Sequence, residues 1–200
     1  MKTDDEKNFT KAYRITTRSR RSQDDDATAF HIWQKLAADG YIRSTFYLGV
    51  CFDNGIGTRK NYRKAFQNYL QAARDGHPEA QYNVYQMYRR GIGTTKNTKR
   101  AVQWLAKAAA QGDVPAVRDL GYCYHEGVGV KINHRKAVDL YRVAAKKGDA
   151  MAQWNLALCY RDGDGTPKSE YRSRQWLGKA AGNGHLRARQ YIARIKRKAR

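Results

Sequence analysis

Acidic residues are scarce in this chain. Eighteen Asp and Glu stand against 39 Lys and Arg in 200 residues, a formal net charge of +21. A chain so charged repels itself and draws acidic partners through a field that salt screens strongly, so a polyanion or an acidic protein surface is the default partner. Cysteine is almost absent too. Cys51, Cys123 and Cys159 make an odd number with no CxxC spacing, which argues against a disulfide framework and a zinc site and fits a reducing, cytoplasmic setting. Long apolar runs are missing: no stretch reaches the roughly 18 to 20 apolar residues that a bilayer span needs. The opening "MKTDDEKNFTKAYR" has no apolar run behind its charges, so neither a secretory signal nor a membrane anchor is expected. His31, His77, His125, His134 and His185 are scattered without a second ligand at helical spacing, so no metal is expected. No acid/base pair or activated nucleophile can be assembled, and neither a catalytic residue nor a cofactor is expected.

What the chain has is repetition. Shifted by 36 residues it aligns with itself without a gap. The stretch "GIGTRKNYRKAFQN" from Gly55 returns as "GIGTTKNTKRAVQW" from Gly91, "GVGVKINHRKAVDL" from Gly127 and "GDGTPKSEYRSRQW" from Gly163. The same register aligns Ala72-Ala73, Ala108-Ala109, Ala144-Ala145 and Ala180-Ala181. Between the glycines the apolar spacing is helical, so each unit reads as two helices joined by the GxG turn. Helix A ends at the first glycine as a left-handed C-cap, and helix B begins at the N-cap residues Asn61, Asn97, Asn133 and Ser169. The paired alanines allow close helix approach, and Phe52, Tyr88, Tyr124 and Tyr160 fill the space left over. Such hairpins bury their apolar faces only by stacking, which predicts an all-α fold, an α-solenoid. The glycine loop is thereby a turn and not a phosphate cradle, for neither a preceding strand nor a GK[ST] ending is present. Cys51, Cys123 and Cys159 share one repeat position with Met87 and read as core side chains.

At these residues the chain resembles the Sel1-like repeat family, relatives of the tetratricopeptide repeats. In the third repeat Ala116, Leu120, Gly121, Tyr124, Gly127, Gly129, Val130, Lys136, Ala137, Ala144, Ala145 and Gly148 all follow the family pattern. The resemblance implies a right-handed superhelix over residues 27–200. It comprises a leading helix B, four full repeats at about 41–76, 77–112, 113–148 and 149–184, and a C-terminal helix over 185–200. Residues 1–26 lack a repeat-like helix A and are expected to be flexible. Some cysteine-rich relatives were linked to β-lactam binding or hydrolysis, but they carry a disulfide in each repeat and this chain lacks those pairs.

Two surfaces are candidates for partner binding. The first is a basic edge at the start of each helix B. Positive side chains there oppose the helix dipole, at about 0.3 to 1 kcal/mol each. Arg63, Lys64, Lys99, Arg100, Arg135, Lys136 and Arg172 occupy these positions, with Arg59, Lys60, Lys96, Lys131 and Lys168 in the loops before them. The family's own lysine at 64, 100 and 136 accounts for part of this, and the rest favours a docking surface. The second surface is the row that the tetratricopeptide likeness puts on the concave side: Phe46, Tyr82, Arg118 and Trp154. Around it would lie Arg43, Gln86, Arg89, Arg90, Tyr122, His125, Arg161 and Arg187. Tyr122 reads equally as a contact or as inter-repeat packing, and Trp154 is the strongest single contact candidate. At the C-terminus Leu186, Tyr191, Ile192 and Ile195 form a closing stripe, opposite Arg187, Arg189, Arg194, Lys196, Arg197, Lys198 and Arg200.

Two functional readings follow. One is a non-enzymatic adaptor holding an acidic protein or peptide, with cations and aromatic rings gripping its side chains. The other is a nucleic-acid-binding solenoid, in which the same cations meet phosphates and the rings stack on bases.

Overall fold

The structure, a computed structural model, describes residues 3–198. Of the C-terminal cations, the side chains of Lys196 and Lys198 and the whole of Arg200 lie outside what is described. The described residues form eleven helices and no strand: α1 (Asp4–Thr17), α2 (Gln23–Ala38), α3 (Ile42–Asn54), α4 (Tyr62–Arg74), α5 (Pro78–Arg90), α6 (Thr98–Ala110), α7 (Val114–Glu126), α8 (His134–Lys146), α9 (Ala150–Asp162), α10 (Glu170–Gly182) and α11 (Leu186–Lys198). This is the all-α solenoid of stacked hairpins that the repeat predicts. It divides into two compact units, one running to Trp104 and the other starting at Leu105.

In the first unit α1 to α5 pack in sequence, each on the next. Asn61 caps α4 by accepting from the Lys64 N–H, while its own N–H donates to the Phe52 carbonyl of α3 and closes the hairpin. The two glycines of each GxG do different jobs. Gly91 ends α5 at φ +73°, its N–H donating to the Met87 carbonyl. Gly93, at φ +66°, lies so close to the start of α4 that a Cβ would collide with the Tyr62 carbonyl.

Residues 4–17, expected to be flexible, instead form α1, and the leading helix begins at Gln23 rather than Ala27. Thr3 caps α1, and Asp4, Asp5 and Glu6 complement the dipole in its first turn. Phe9, Ala12 and Ile15 then recur on one face, with Ala12 and Ile15 buried against Trp33 and Leu36. Phe9 meets Trp33 edge-on at 5.0 Å, and Trp33 Nε1 donates to Thr16 Oγ1 at 3.1 Å. Shifted by one repeat, α1 falls on α3. The pair α1–α2 is therefore a degenerate hairpin in which the stretch ending at the Ser22 capping box replaces the GxG turn.

The second unit repeats the pattern from α7 to α11. Asn133 and Ser169 cap α8 and α10, and their N–H groups donate to the Tyr124 and Tyr160 carbonyls. Ala144 and Ala145 are buried with Leu156 and Cys159 in one core, and Ala180 with Leu177 and Ala188 in another.

Candidate interaction surface

All twelve cations of the expected basic edge are exposed. Their placement follows from the helix caps, which fix the first turn of each helix B and so direct the side chains at its second and third positions. Those at the third position are partly structural. Lys64 Nζ lies 5.3 Å over the Phe52 ring, Lys136 Nζ 4.3 Å over Tyr124, and the Arg172 guanidinium 5.5 Å over Tyr160. Lys136 Nζ also donates to the Tyr124 hydroxyl at 2.8 Å. In three of the hairpins the ring that fills the turn, Phe52, Tyr124 or Tyr160, thus also carries a cation. Among the described residues no ring contact of this kind holds Arg63, Lys99 or Arg135, nor the loop residues Arg59, Lys60, Lys96, Lys131 and Lys168. Among the described residues none of the twelve is ion-paired with a carboxylate. The first unit carries Arg59, Lys60, Arg63, Lys64, Lys96, Lys99 and Arg100, and the second Lys131, Arg135, Lys136, Lys168 and Arg172.

The row expected on the concave side is engaged within the molecule. Phe46 stacks on His77 at 4.5 Å and 15°, and Trp154 stacks on His185 at 5.0 Å and 21°. Arg118 pairs with Asp149 at 2.9 Å and with Asp119 at 2.8 Å. His77, Asp149 and His185 occupy one repeat position, and each also caps its own helix by accepting from the N–H three residues on. At three of the four row positions the side chain and the next cap are matched in kind, Phe46 and Trp154 with a histidine and Arg118 with an aspartate, whereas the cap that follows Tyr82 is Asp113. Burial lowers the basicity of His77 and of His185. This suits rings whose Nδ1 must stay unprotonated to accept a cap hydrogen bond. His77 Nδ1 is also 3.2 Å from Glu79, a contact that the neutral accepting ring does not make as an ion pair. Tyr82 accepts from Gln86 Nε2 at 3.0 Å.

The residues expected around that row divide. Arg161 forms a bidentate pair with Asp162, 2.7 Å on both arms, and its guanidinium holds the Asp162 carboxyl below the ordinary range. Arg43 lies 4.5 Å over the Phe9 ring of α1, and Arg89 5.6 Å over Tyr85. Arg90, Tyr122 and Arg187 are exposed. His125 Nδ1 sits 2.8 Å from Glu126, with Nε2 3.7 Å from Asp164. Among the described residues no cluster of three or more His, Cys, Asp or Glu is placed to hold a metal. Cys51, Cys123 and Cys159 are buried, and burial pushes the Cys51 and Cys159 thiols up to about 12, too high for a nucleophilic thiolate.

Sequence reasoning missed one recurring device. Gln81 Nε2 donates to the Ala73 carbonyl at 3.1 Å, Gln153 Nε2 to Ala145 at 3.0 Å, and Arg189 Nε to Ala181 at 2.9 Å. These donors share one repeat position and satisfy a carbonyl near the end of the preceding helix B. Two glutamines 72 residues apart were the available signal. Arg189, read in the sequence as part of the basic face opposite the closing stripe, belongs to this set.

Comparison with known proteins agrees with this geometry. The Sel1 repeat family model matches residues 42–77, 78–113, 114–149 and 150–185. A search of curated proteins finds no match. Among solved structures, a Sel1 repeat protein from Oxalobacter formigenes is 37% identical with a TM-score of 0.74, over 81% of this chain and 64% of that one. The protective antigen c5321 of uropathogenic Escherichia coli, which displays an SLR fold, is 29% identical with a TM-score of 0.85, over 92% of this chain and 39% of that one. The chain thus spans less than two thirds of the length of either. Helicobacter pylori cysteine rich protein B is 26% identical with a TM-score of 0.53, over 66% of this chain and 95% of that one. Among the described residues no helix is long and apolar enough to cross a membrane. Four consecutive repeat matches, on hairpins whose caps, glycines and alanine pairs each have a visible role, place this chain in the Sel1 repeat family, a generally non-catalytic scaffold fold that typically mediates protein–protein interaction.

Proposed function

We propose that this protein is a non-catalytic adaptor that binds an acidic protein partner through the basic edge of its hairpins. The observation that carries the reading is that the edge cations are exposed and, among the described residues, without a carboxylate ion pair, whereas Arg118 and Arg161 of the other surface are neutralised by aspartates. Cations held against helix dipoles without an ion-pair partner gain when a partner supplies the negative charge. The edge therefore replaces the concave row as the main contact. A reducing, cytoplasmic setting belongs to the same reading and is supported by three buried cysteines that are not joined in disulfides.

Nucleic-acid binding is the second reading. It is favoured by Tyr62 and Tyr171, exposed beside Arg63 and Arg172 where rings could stack on bases. The protein reading is preferred because Phe46 and Trp154, the rings best suited to a stacking groove, are stacked on histidines. Affinity capture from source cells distinguishes the two. Wild-type protein should retain an acidic protein after nuclease treatment, and a variant with Arg63, Lys99 and Arg135 changed to Glu should not. Recovery of nucleic acid alone, released by high salt, would reverse the preference.

A further inference from the structure

A pocket of about 310 Å³ lies where α3, α4 and α5 meet, beside the first unit's basic edge. Lys60 comes from the edge, and Arg90 from the last turn of α5. Neither is ion-paired among the described residues. Gln86 adds a group of the opposite kind: its Nε2 donates to Tyr82, while its Oε1 is buried without a hydrogen-bond partner. A buried acceptor left unsatisfied is costly, and an incoming N–H would relieve it once the Gln86 side chain turns this covered oxygen into the pocket. Asp53 is the one carboxylate in the lining, and the Tyr69 hydroxyl donates to it at 3.4 Å. Burial and Asp53 raise the Tyr69 pKa, so that hydroxyl remains a donor.

A second pocket occupies the equivalent place in the other unit, between α7, α8 and α9. Two repeats on, Arg90 becomes Asp162 and Gln86 becomes Leu158, and Asp53 becomes His125. The scaffold is shared while the chemistry is inverted. The cations and the orphan acceptor are therefore not required by the fold at this place.

Resting on the reading of an acidic protein partner, we propose that the first-unit pocket seats one carboxylate-bearing residue of that partner. Its carboxylate lies between Lys60 and Arg90, and a backbone N–H donates to Gln86 Oε1. An inorganic anion satisfies only the first requirement, whereas a peptide satisfies both.

The test is fluorescence anisotropy on the full chain at low salt with labelled peptides. The probes are an amidated octaglutamate and a neutral Gly-Ser octapeptide ending in a free carboxylate. Capture of octaglutamate that the pocket variants weaken assigns a side-chain carboxylate, and capture of only the free terminus, weakened in the same way, assigns a chain end; either supports the pocket. Arg90→Asp and Gln86→Leu install residues that the equivalent positions already carry in the same fold, so circular dichroism should be unchanged. Arg90→Asp should weaken binding about tenfold and Gln86→Leu about fivefold. The Gln86 side-chain amide should also shift in nitrogen-15 NMR spectra of the titrated chain. If both variants bind as wild type while edge reversal abolishes binding, the pocket is refuted and the adaptor reading stands. If wild type captures neither peptide, both fall.

Discussion

Reversing Arg63, Lys99 and Arg135 to glutamate should make the protein more stable while removing its binding function. Each residue is exposed in the first turn of a helix B, without an ion-pair partner among the described residues. Removing a cation there relieves an unfavourable dipole interaction, and adding a carboxylate creates a favourable one, each about 0.3 to 1 kcal/mol at low salt. Each reversal also lowers the net charge by two, so the three together take it from +21 to about +15 and ease self-repulsion. The three sites lie on different hairpins, so the gains should add to about 2 to 6 kcal/mol. At about 2 to 4 °C per kcal/mol for a chain of this size, Tm should rise by at least roughly 4 °C and at most roughly 24 °C. Thermal unfolding followed by circular dichroism at 25 mM and 500 mM NaCl checks this. The gain should shrink at the higher salt, where the Debye length is only about 4 Å. A fall in Tm at both salts would mean that these cations are held by contacts within the fold, and the case for a partner-facing edge would fail.

Arg118→Met should do the opposite, lowering stability by about 3 kcal/mol in urea denaturation because Asp119 and Asp149, both largely buried, lose their shared partner. Acid should destabilise the two histidine caps. His77, lowered chiefly by burial with Arg43 helping and Glu79 opposing, and His185, lowered by burial with Arg187 helping and Asp149 opposing, both have folded-state pKa values below 6.5. Their contribution is complete above 6.5 and is lost as pH falls through the lower folded value, so Tm should drop from pH 7 to 5, and less so in a His77→Asn, His185→Asn variant. Cys51 and Cys159 should resist a thiol reagent at pH 8 in the native protein and react fully on unfolding. Gly93→Ala should cost at least about 2 kcal/mol, since φ is +66° and the Cβ would meet the Tyr62 carbonyl.

The hairpins were legible because a repeat samples the same physics several times. A cap at Asn61 is weak evidence alone, but the same cap at 97, 133 and 169 fixes four helix starts. The α1 helix was missed because it occurs once and lacks the GxG turn, although Phe9, Ala12 and Ile15 carried the spacing. Exposure of the edge was legible for a related reason: a cap fixes where its first turn points. The concave row was not. Whether an aromatic or arginine at a repeat position faces a ligand or the next repeat depends on the residue 31 positions on, and the pairing of Phe46 with His77 and of Arg118 with Asp149 emerges only in three dimensions. The orphan acceptor of Gln86 was likewise invisible, because a sequence does not say which amide oxygen is left over.

The central claim is that the exposed edge cations, and not the paired arginines of the row, meet the partner. NMR of the arginine Nε–Hε groups during titration with an acidic peptide tests this most directly. Resonances of Arg63, Arg100, Arg135 and Arg172 should shift together while those of Arg118 and Arg161 stay in place. Shifts confined to Arg118 and Arg161, with the edge unmoved, would contradict the account.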